Sequence, residues 1–180
     1  MATEDDPHNT VAVIDYDPAW IATYEQQRDT IVAALDAAGQ PHASVEHVGS
    51  TAVPGLAAKP IIDIMVCYEI LPDLATILPL LAGIGYAYVP KPEFTESYFF
   101  RHGATFEGTI HLHITTATSE FGLQMLRFRD ALRASPDLAA DYAAFKRGLA
   151  AQFPHDRPSY TAAKGPFVTG IIGPQLPPRG

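Results

Sequence analysis

The sequence predicts an α+β domain, a small mixed sheet with helices packed on it. Three observations carry this. Short extended runs alternate with helical patterns as far as about residue 114. From about residue 120 the apolar spacing is helical throughout. The 180 residues are 47% hydrophobic with no repeat and no shift of composition. That suits one domain burying roughly 70% of its unfolded surface.

Residues 1–10 are polar and acidic and residues 173–180 are rich in proline and glycine, so both are expected to be loose tails around a domain over 11–172. Val11–Ile14 reads as a short extended segment. Asp17 then offers a side-chain cap, and Pro18 takes the first helical position, where its missing N–H costs nothing. Trp20, Ile21, Tyr24, Ile31 and Leu35 keep helical spacing until Gly39. Ser44–Val48 reads as a strand ending at Gly49, followed by a loop from Ser50 to Pro60. Ile61–Val66 is an apolar run broken by one carboxylate, the pattern of a central strand covered on both faces. Leu71 to Leu81 is a helix closed by Gly83 and Gly85. Extended stretches follow at Tyr86–Val89, Ser97–Arg101 and Thr109–Ile114. Phe121, Met125, Phe128 and Leu132 form one helical stripe. Leu138, Tyr142, Phe145 and Leu149 form another, begun by Ser135 and Pro136. A last helix runs from about Pro158 to Ile172, with an interruption at Gly165-Pro166.

Twelve basic against twenty acidic residues give a net charge of −8. Such a surface excludes general binding to nucleic acid or an anionic membrane, while leaving room for a local basic pocket holding a small phosphorylated ligand. One cysteine, Cys67, excludes an internal disulfide, fits a reducing compartment and reads as inert core. No apolar run approaches the roughly 20 residues of a membrane span, and the acidic N-terminus is unlike a signal peptide. The expectation is a cytoplasmic protein.

An ionised Asp63 inside an apolar strand is costly unless a metal, a cation or several donors meet it. Gly49 lets backbone approach a ligand, and Ser50 adds a hydroxyl beside exposed amides, a combination that can cradle phosphate. The alternative is a plain Gly-Ser turn with Asp63 bound to backbone groups. His111 and His113, two apart on a strand, share a face with Thr109 and Glu107, while Ile110, Leu112 and Ile114 point into the core. With Asp63 they would make a two-imidazole, one-carboxylate set, favouring Mn²⁺, Fe²⁺, Ni²⁺ or Zn²⁺ over Mg²⁺. The alternative is a pair of half-exposed strand histidines. His47 either lines the pocket or is a satisfied strand residue. Arg127, Arg129, Arg133, Lys146 and Arg147 are expected on solvated helix faces. His113-Ile-Thr115 and His8-Asn-Thr10 have the paired form of the two-histidine phosphoesterases. A histidine in an acidic tail without apolar flanks cannot lie on a central strand, so that reading is set aside.

Five blocks together carry a resemblance. They are Asp15–Trp20, His47–Ile64, His111–His113, Tyr142–Lys146, and Tyr160–Lys164 with Pro166-Phe167. Over about residues 11–172 the chain resembles the GrpB family, a branch of the nucleotidyltransferase superfamily. The resemblance implies a nucleotidyltransferase-like mixed β-sheet flanked by helices, with a helical C-terminal third. It also implies a transferase that uses a metal-bound nucleoside triphosphate to modify a small-molecule or protein acceptor. In the superfamily pattern a Gly-Ser pair precedes, by about a dozen residues, an Asp, an apolar residue and a second acid. The two carboxylates hold divalent metals. Gly49, Ser50 and Asp63 match, but Met65 stands at the second acid, and a thioether does not replace a carboxylate around Mg²⁺. His111 and His113, near the place of the third acid, are then expected to hold a divalent metal with Asp63: Mg²⁺, Mn²⁺ or a transition ion. Asp63, Ser50, His111 and His113 become the expected catalytic residues. Gly49, Ser50, Lys59, Arg101 and Lys164 become the expected phosphate contacts, Lys164 as the late-helix lysine that faces the triphosphate in related folds. Two alternatives stand beside this: a non-catalytic nucleotide or phosphometabolite-binding module, and a metal-dependent hydrolase or cyclase built on Asp63, His111 and His113.

Overall fold

A computed structural model describes residues 10–92, 94, 96–103 and 109–173. The segments 1–9 and 174–180 of the expected tails, with His8 and Glu107, lie outside the described residues. Among those described, five strands form one sheet: β1 (Ser44–Val48), β2 (Ile61–Tyr68), β3 (Ala87–Tyr88), β4 (Ser97–His102) and β5 (Thr109–Thr116). Their order is β1-β2-β5-β4-β3, with β2 and β5 parallel at the centre and every other pair antiparallel. Six helices complete the fold: α1 (Ala19–Ala37), α2 (Leu74–Gly83), α3 (Glu120–Ala134), α4 (Pro136–Gln152), α5 (Arg157–Ala163) and α6 (Gly165–Ile172). Four of these make up the C-terminal third.

Strand alternation divides the sheet into two unlike faces. Ile62, Ile64, Val66 and Tyr68 of β2 join Ile110, Leu112 and Ile114 of β5 on one face. They pack against Trp20, Ile31 and Leu35 of α1 and Ile77 and Leu81 of α2 to form the main core. The opposite face carries Asp63 and Met65 on β2, His111 and His113 on β5, and Phe99 and Arg101 on β4, aligned by the strand register. The C-terminal helices lie over this second face. Phe121 of α3 packs on His113, and Met125 and Leu126 pack on Met65, Val48 and Cys67.

The helix boundaries follow local chemistry. Asp17 accepts from the amide of Ala19 at 2.9 Å, and Ser135 from that of Leu138 at 3.3 Å. The second helix begins at Leu74 rather than Leu71 because Asp73 is its cap, accepting from Ala75. The expected final helix is two helices, since Pro166 has no N–H with which to extend α5. Val11–Ile14 stays outside the sheet. Ile14 makes one bridge to Ala58, and Val11 is buried against Leu149 and Tyr160. No helix among the described residues is long and apolar enough to cross a membrane.

Two side chains close the edge strand β1, whose free carbonyls would otherwise invite pairing with another chain. The Tyr24 hydroxyl donates to Val45 O at 2.9 Å, and Arg129 donates to His47 O at 3.0 Å and to Glu46 Oε2 at 2.9 Å. Arg129 is therefore not on a solvated face as expected; its side chain is 11% exposed. Arg133 also turns inward at its tip, donating twice to Ala52 O at 2.9 and 2.7 Å. Helical spacing cannot show this, because the acceptors lie on β1 and in the turn after it, about 80 residues earlier. Replacing Arg129 by Ala should lower stability by about 1–3 kcal/mol in urea unfolding, as charge-assisted bonds to a partly buried edge are lost. The exposed Arg127→Ala should fall within about 0.5 kcal/mol of wild type.

Candidate functional site

The site is built at the junction of β1, β2 and β5. Asp63 lies mid-strand on β2, across from Val48 on one side and His111 on the other. β1 ends at Gly49, whose φ of 72° suits glycine. A Cβ at Gly49 would collide with Asp63 Oδ2 and approach Asp63 Cβ at 3.1 Å, so the backbone touches the carboxylate only because no side chain intervenes. The other oxygen, Oδ1, accepts from His111 Nδ1 at 3.1 Å and lies 3.9 Å from His113 Nε2. Burial opposes ionisation of Asp63, but hydrogen bonds and charge from His111 and His113 outweigh it. The carboxyl is held well below the usual range. With Nδ1 committed to Asp63, His111 is left Nε2 for a ligand. His113 is wedged between Phe99 and Phe121, with ring centroids 5.1 and 5.4 Å away. Its Nδ1 is buried without a hydrogen-bond partner among the described residues.

A cavity of about 230 Å³ opens beside the Asp63–His111 pair. The β1–β2 loop contributes Ser50 and Lys59, and the sheet contributes Asp63 and His111. Helix α4 adds Lys146, α5 adds Arg157, Tyr160 and Thr161, and Lys164 comes from the α5–α6 junction. Four cationic side chains thus face one carboxylate, inside a chain whose net charge is −8. Aromatic faces help to hold them. The ammonium groups of Lys59 and Lys164 lie 5.1 and 4.9 Å from the Tyr160 ring, and that of Lys146 lies 4.6 Å from the Tyr142 ring. Lys146 also donates to Ala57 O at 2.6 Å. Crowding is costly. Burial, then Lys164 and Arg157, push Lys59 down to about 7; burial, then Lys164, Arg147 and Lys59, push Lys146 down to about 7. Lys164 is lowered as well, chiefly by burial. An anion in the cavity would relieve this repulsion.

Of the residues expected at the site, Ser50, Lys59, Asp63, His111 and Lys164 come together around the cavity, and Gly49 seats the carboxylate from behind. Arg101 pairs across from His111 on the same face and acts electrostatically on Arg157, but it does not line the cavity. His113 sits one register step further along, also outside the lining. His47 is a satisfied strand residue. It stacks on Tyr24 at 4.5 Å and lies 3.1 Å from Thr51 Oγ1, which itself donates to Ile61 O. Burial lowers His47 to about 4, so it is neutral near pH 7.

Lys146 is a correction. It was expected on a solvated face and is 2% exposed. A signal was present: it falls four residues after Tyr142 and three before Leu149, on the buried stripe of α4. Arg157, Tyr160 and Thr161 were not singled out as site residues, although Tyr160 opens one of the resembling blocks.

The implied pair of magnesium ions does not fit these residues. Met65, at the second-acid position, is fully buried under α3. There Gly122 comes so close that a Cβ would lie 3.4 Å from Met65 Sδ. Asp63 alone offers too little hard oxygen for two Mg²⁺. For a transition ion, Asp63, His111 and His113 supply the right chemistry. Even so, no group of three or more His, Cys, Asp or Glu side chains among the described residues is arranged to hold a metal ion.

The mixed sheet and its flanking helices have a fold related to that of nucleotidyltransferases. A structure described as a cytoplasmic RNA terminal U-transferase superposes with a TM-score of 0.53 at 12% identity, over 76% of this chain and 41% of that one. The family is closer. A family model described as GrpB protein matches residues 10–173, and the chain belongs to the GrpB family. The UPF0157 protein PA4798 of Pseudomonas aeruginosa is 38% identical over 169 residues, 92% of this chain and 68% of the relative. The crystal structure of GrpB from Enterococcus faecalis matches with a TM-score of 0.80 at 32% identity, covering 89% of this chain and 94% of that one.

The lowered lysines make stability depend on pH. Between about pH 7 and the ordinary lysine range, Lys59 and Lys146 bind fewer protons in the native state than in the unfolded one, so the stability of the ligand-free protein rises with pH over that window. The slope is at most about 1.4 kcal/mol per pH unit for each lysine. Urea unfolding between pH 7 and 9.5 should show the rise, and Lys146→Met should make it shallower.

Proposed function

We propose that the cavity takes the polyphosphate of a nucleoside triphosphate and that the domain transfers the nucleotidyl group to a small-molecule or protein acceptor: the acceptor's nucleophilic atom bonds to the α-phosphorus, the bond from that phosphorus to the α–β bridging oxygen breaks, and pyrophosphate leaves. The observation that supports this is the convergence of Lys59, Lys146, Arg157 and Lys164 on the Asp63–His111 pair. Phosphoryl and nucleotidyl transfer depend mainly on positioning and on stabilising charge, which these groups offer. His111, its tautomer set by Asp63, presents Nε2 as the acceptor of a proton from the attacking group. The Ser50 hydroxyl, beside Gly49, serves as a phosphate contact. A reducing, cytoplasmic setting fits the single buried Cys67.

A second reading, a nucleotide or phosphometabolite-binding module without transfer, is favoured by Met65 and its burial under α3. Consumption of the triphosphate separates the two readings, because a binding module leaves its ligand intact.

The test is a thermal-shift panel of nucleoside triphosphates, with and without Mg²⁺, Mn²⁺, Ni²⁺ or Zn²⁺, on wild type, Asp63→Ala and Lys164→Ala. One triphosphate should stabilise wild type by about 2.7 kcal/mol at a hundredfold excess over its dissociation constant, and much less in Lys164→Ala. No shift with any triphosphate would overturn the proposal. Once a bound triphosphate is known, its turnover should be lost in Asp63→Asn while the urea midpoint stays near that of wild type.

A further inference from the structure

We infer that the cavity binds its polyphosphate as a metal-free anion, with Lys59, Lys146, Arg157 and Lys164 supplying the positive charge that divalent ions would otherwise bring. This deepens the reading of the cavity as a polyphosphate site and rests on it.

Two independent observations lead here. On the β2 side, the groups that would hold a metal against the phosphates are missing or engaged. Met65 is sealed beneath α3 at Gly122, and Asp63 has one oxygen bonded to His111 and the other against Gly49. On the helix side, basic groups that take up positive charge beside an anion are already in place. They are four side chains on three separate segments: Lys59 on the loop, Lys146 on α4, and Arg157 and Lys164 bracketing α5. Lys146 is held by Ala57 O and the Tyr142 face, and Lys59 and Lys164 are held by the Tyr160 face, so the cations are pre-organised. Among the described residues, a divalent ion entering this cavity would meet four basic side chains and one carboxylate. A chain of phosphates meets the reverse. Arg157 brings a planar fork suited to two phosphate oxygens, and the lysines bring point charges. Among the described lining residues the like charge is that of Asp63, which is bonded to His111.

The experiment is isothermal titration of the whole chain with sodium tripolyphosphate, in parallel with a nucleoside triphosphate. Each is run in EDTA and again with excess Mg²⁺ or Mn²⁺. The variants are Lys146→Met, Lys164→Gln, Lys164→Arg and the exposed control Arg127→Gln, each checked for folding by circular dichroism and urea unfolding. Binding is expected in EDTA and should weaken when Mg²⁺ occupies the phosphates. It should fall at least tenfold in Lys146→Met and Lys164→Gln, stay within about threefold in Lys164→Arg, and remain unchanged in Arg127→Gln. Binding that requires Mg²⁺ or Mn²⁺ overturns this inference while the polyphosphate reading stands. Binding in EDTA that folded Lys146→Met and Lys164→Gln leave unchanged overturns it too, by placing the anion elsewhere. Absence of binding by either probe in every condition overturns both.

Discussion

The parallel pairing of β2 with β5 is the constraint on which the rest of the site depends. It sets Asp63 beside His111 and Met65 beside His113 in one register. A slip of one residue would turn Asp63 into the main core and bring Ile62 or Ile64 to the cavity. Parallel strands need a long crossover and cover on both faces. Here α1 and α2 cover one face and the C-terminal helices the other. The apolar face anchors the register, and the polar residues of the opposite face are carried along by it.

Placing an ionised carboxylate in that register requires compensation. Gly49 permits backbone contact on one side of Asp63, and His111 donates on the other. One oxygen of Asp63 is bonded to His111, and the other lies against the Gly49 backbone. Around Asp63 the β1–β2 loop and the helices deliver basic groups, and burial, then mutual repulsion, lowers two lysines to about 7. That arrangement opposes folding in the absence of a ligand, and it is the kind of local cost associated with a binding site. The aromatic rings of Tyr142 and Tyr160 soften the cost by turning their π-faces to the ammonium groups.

Helix α3 shapes the other half of this face. Its small residue Gly122 lets the helix settle onto Met65, and Phe121 with Phe99 encloses His113. The sheet row one step beyond Asp63 is thereby dry, and the open chemistry is confined to the row of Asp63 and His111.

Much of this was legible along the chain because it rests on local chemistry. Asp17, Ser135 and the apolar stripes marked helices through capping and a 3.6-residue period, and Asp63 marked itself as a carboxylate in an apolar strand. Gly49, Ser50, Lys59 and Lys164 could be named because they lie in or beside recognisable blocks. The break at Gly165-Pro166 was legible from the proline, whereas the start of α2 was misread by three residues, since Asp73 acts through a capping hydrogen bond that periodicity does not register. What sequence determined by itself was therefore the class of fold, the faces of its strands and helices, and the identity of the buried acid. Only the tertiary structure decided that Lys146, on the buried stripe of α4, faces the cavity, that Arg129 closes a strand edge, and that Arg101 and His113 stand outside the lining. Those outcomes depend on which helix crosses which strand, and contacts between residues 80 or more positions apart leave no period in the chain for a reader to find.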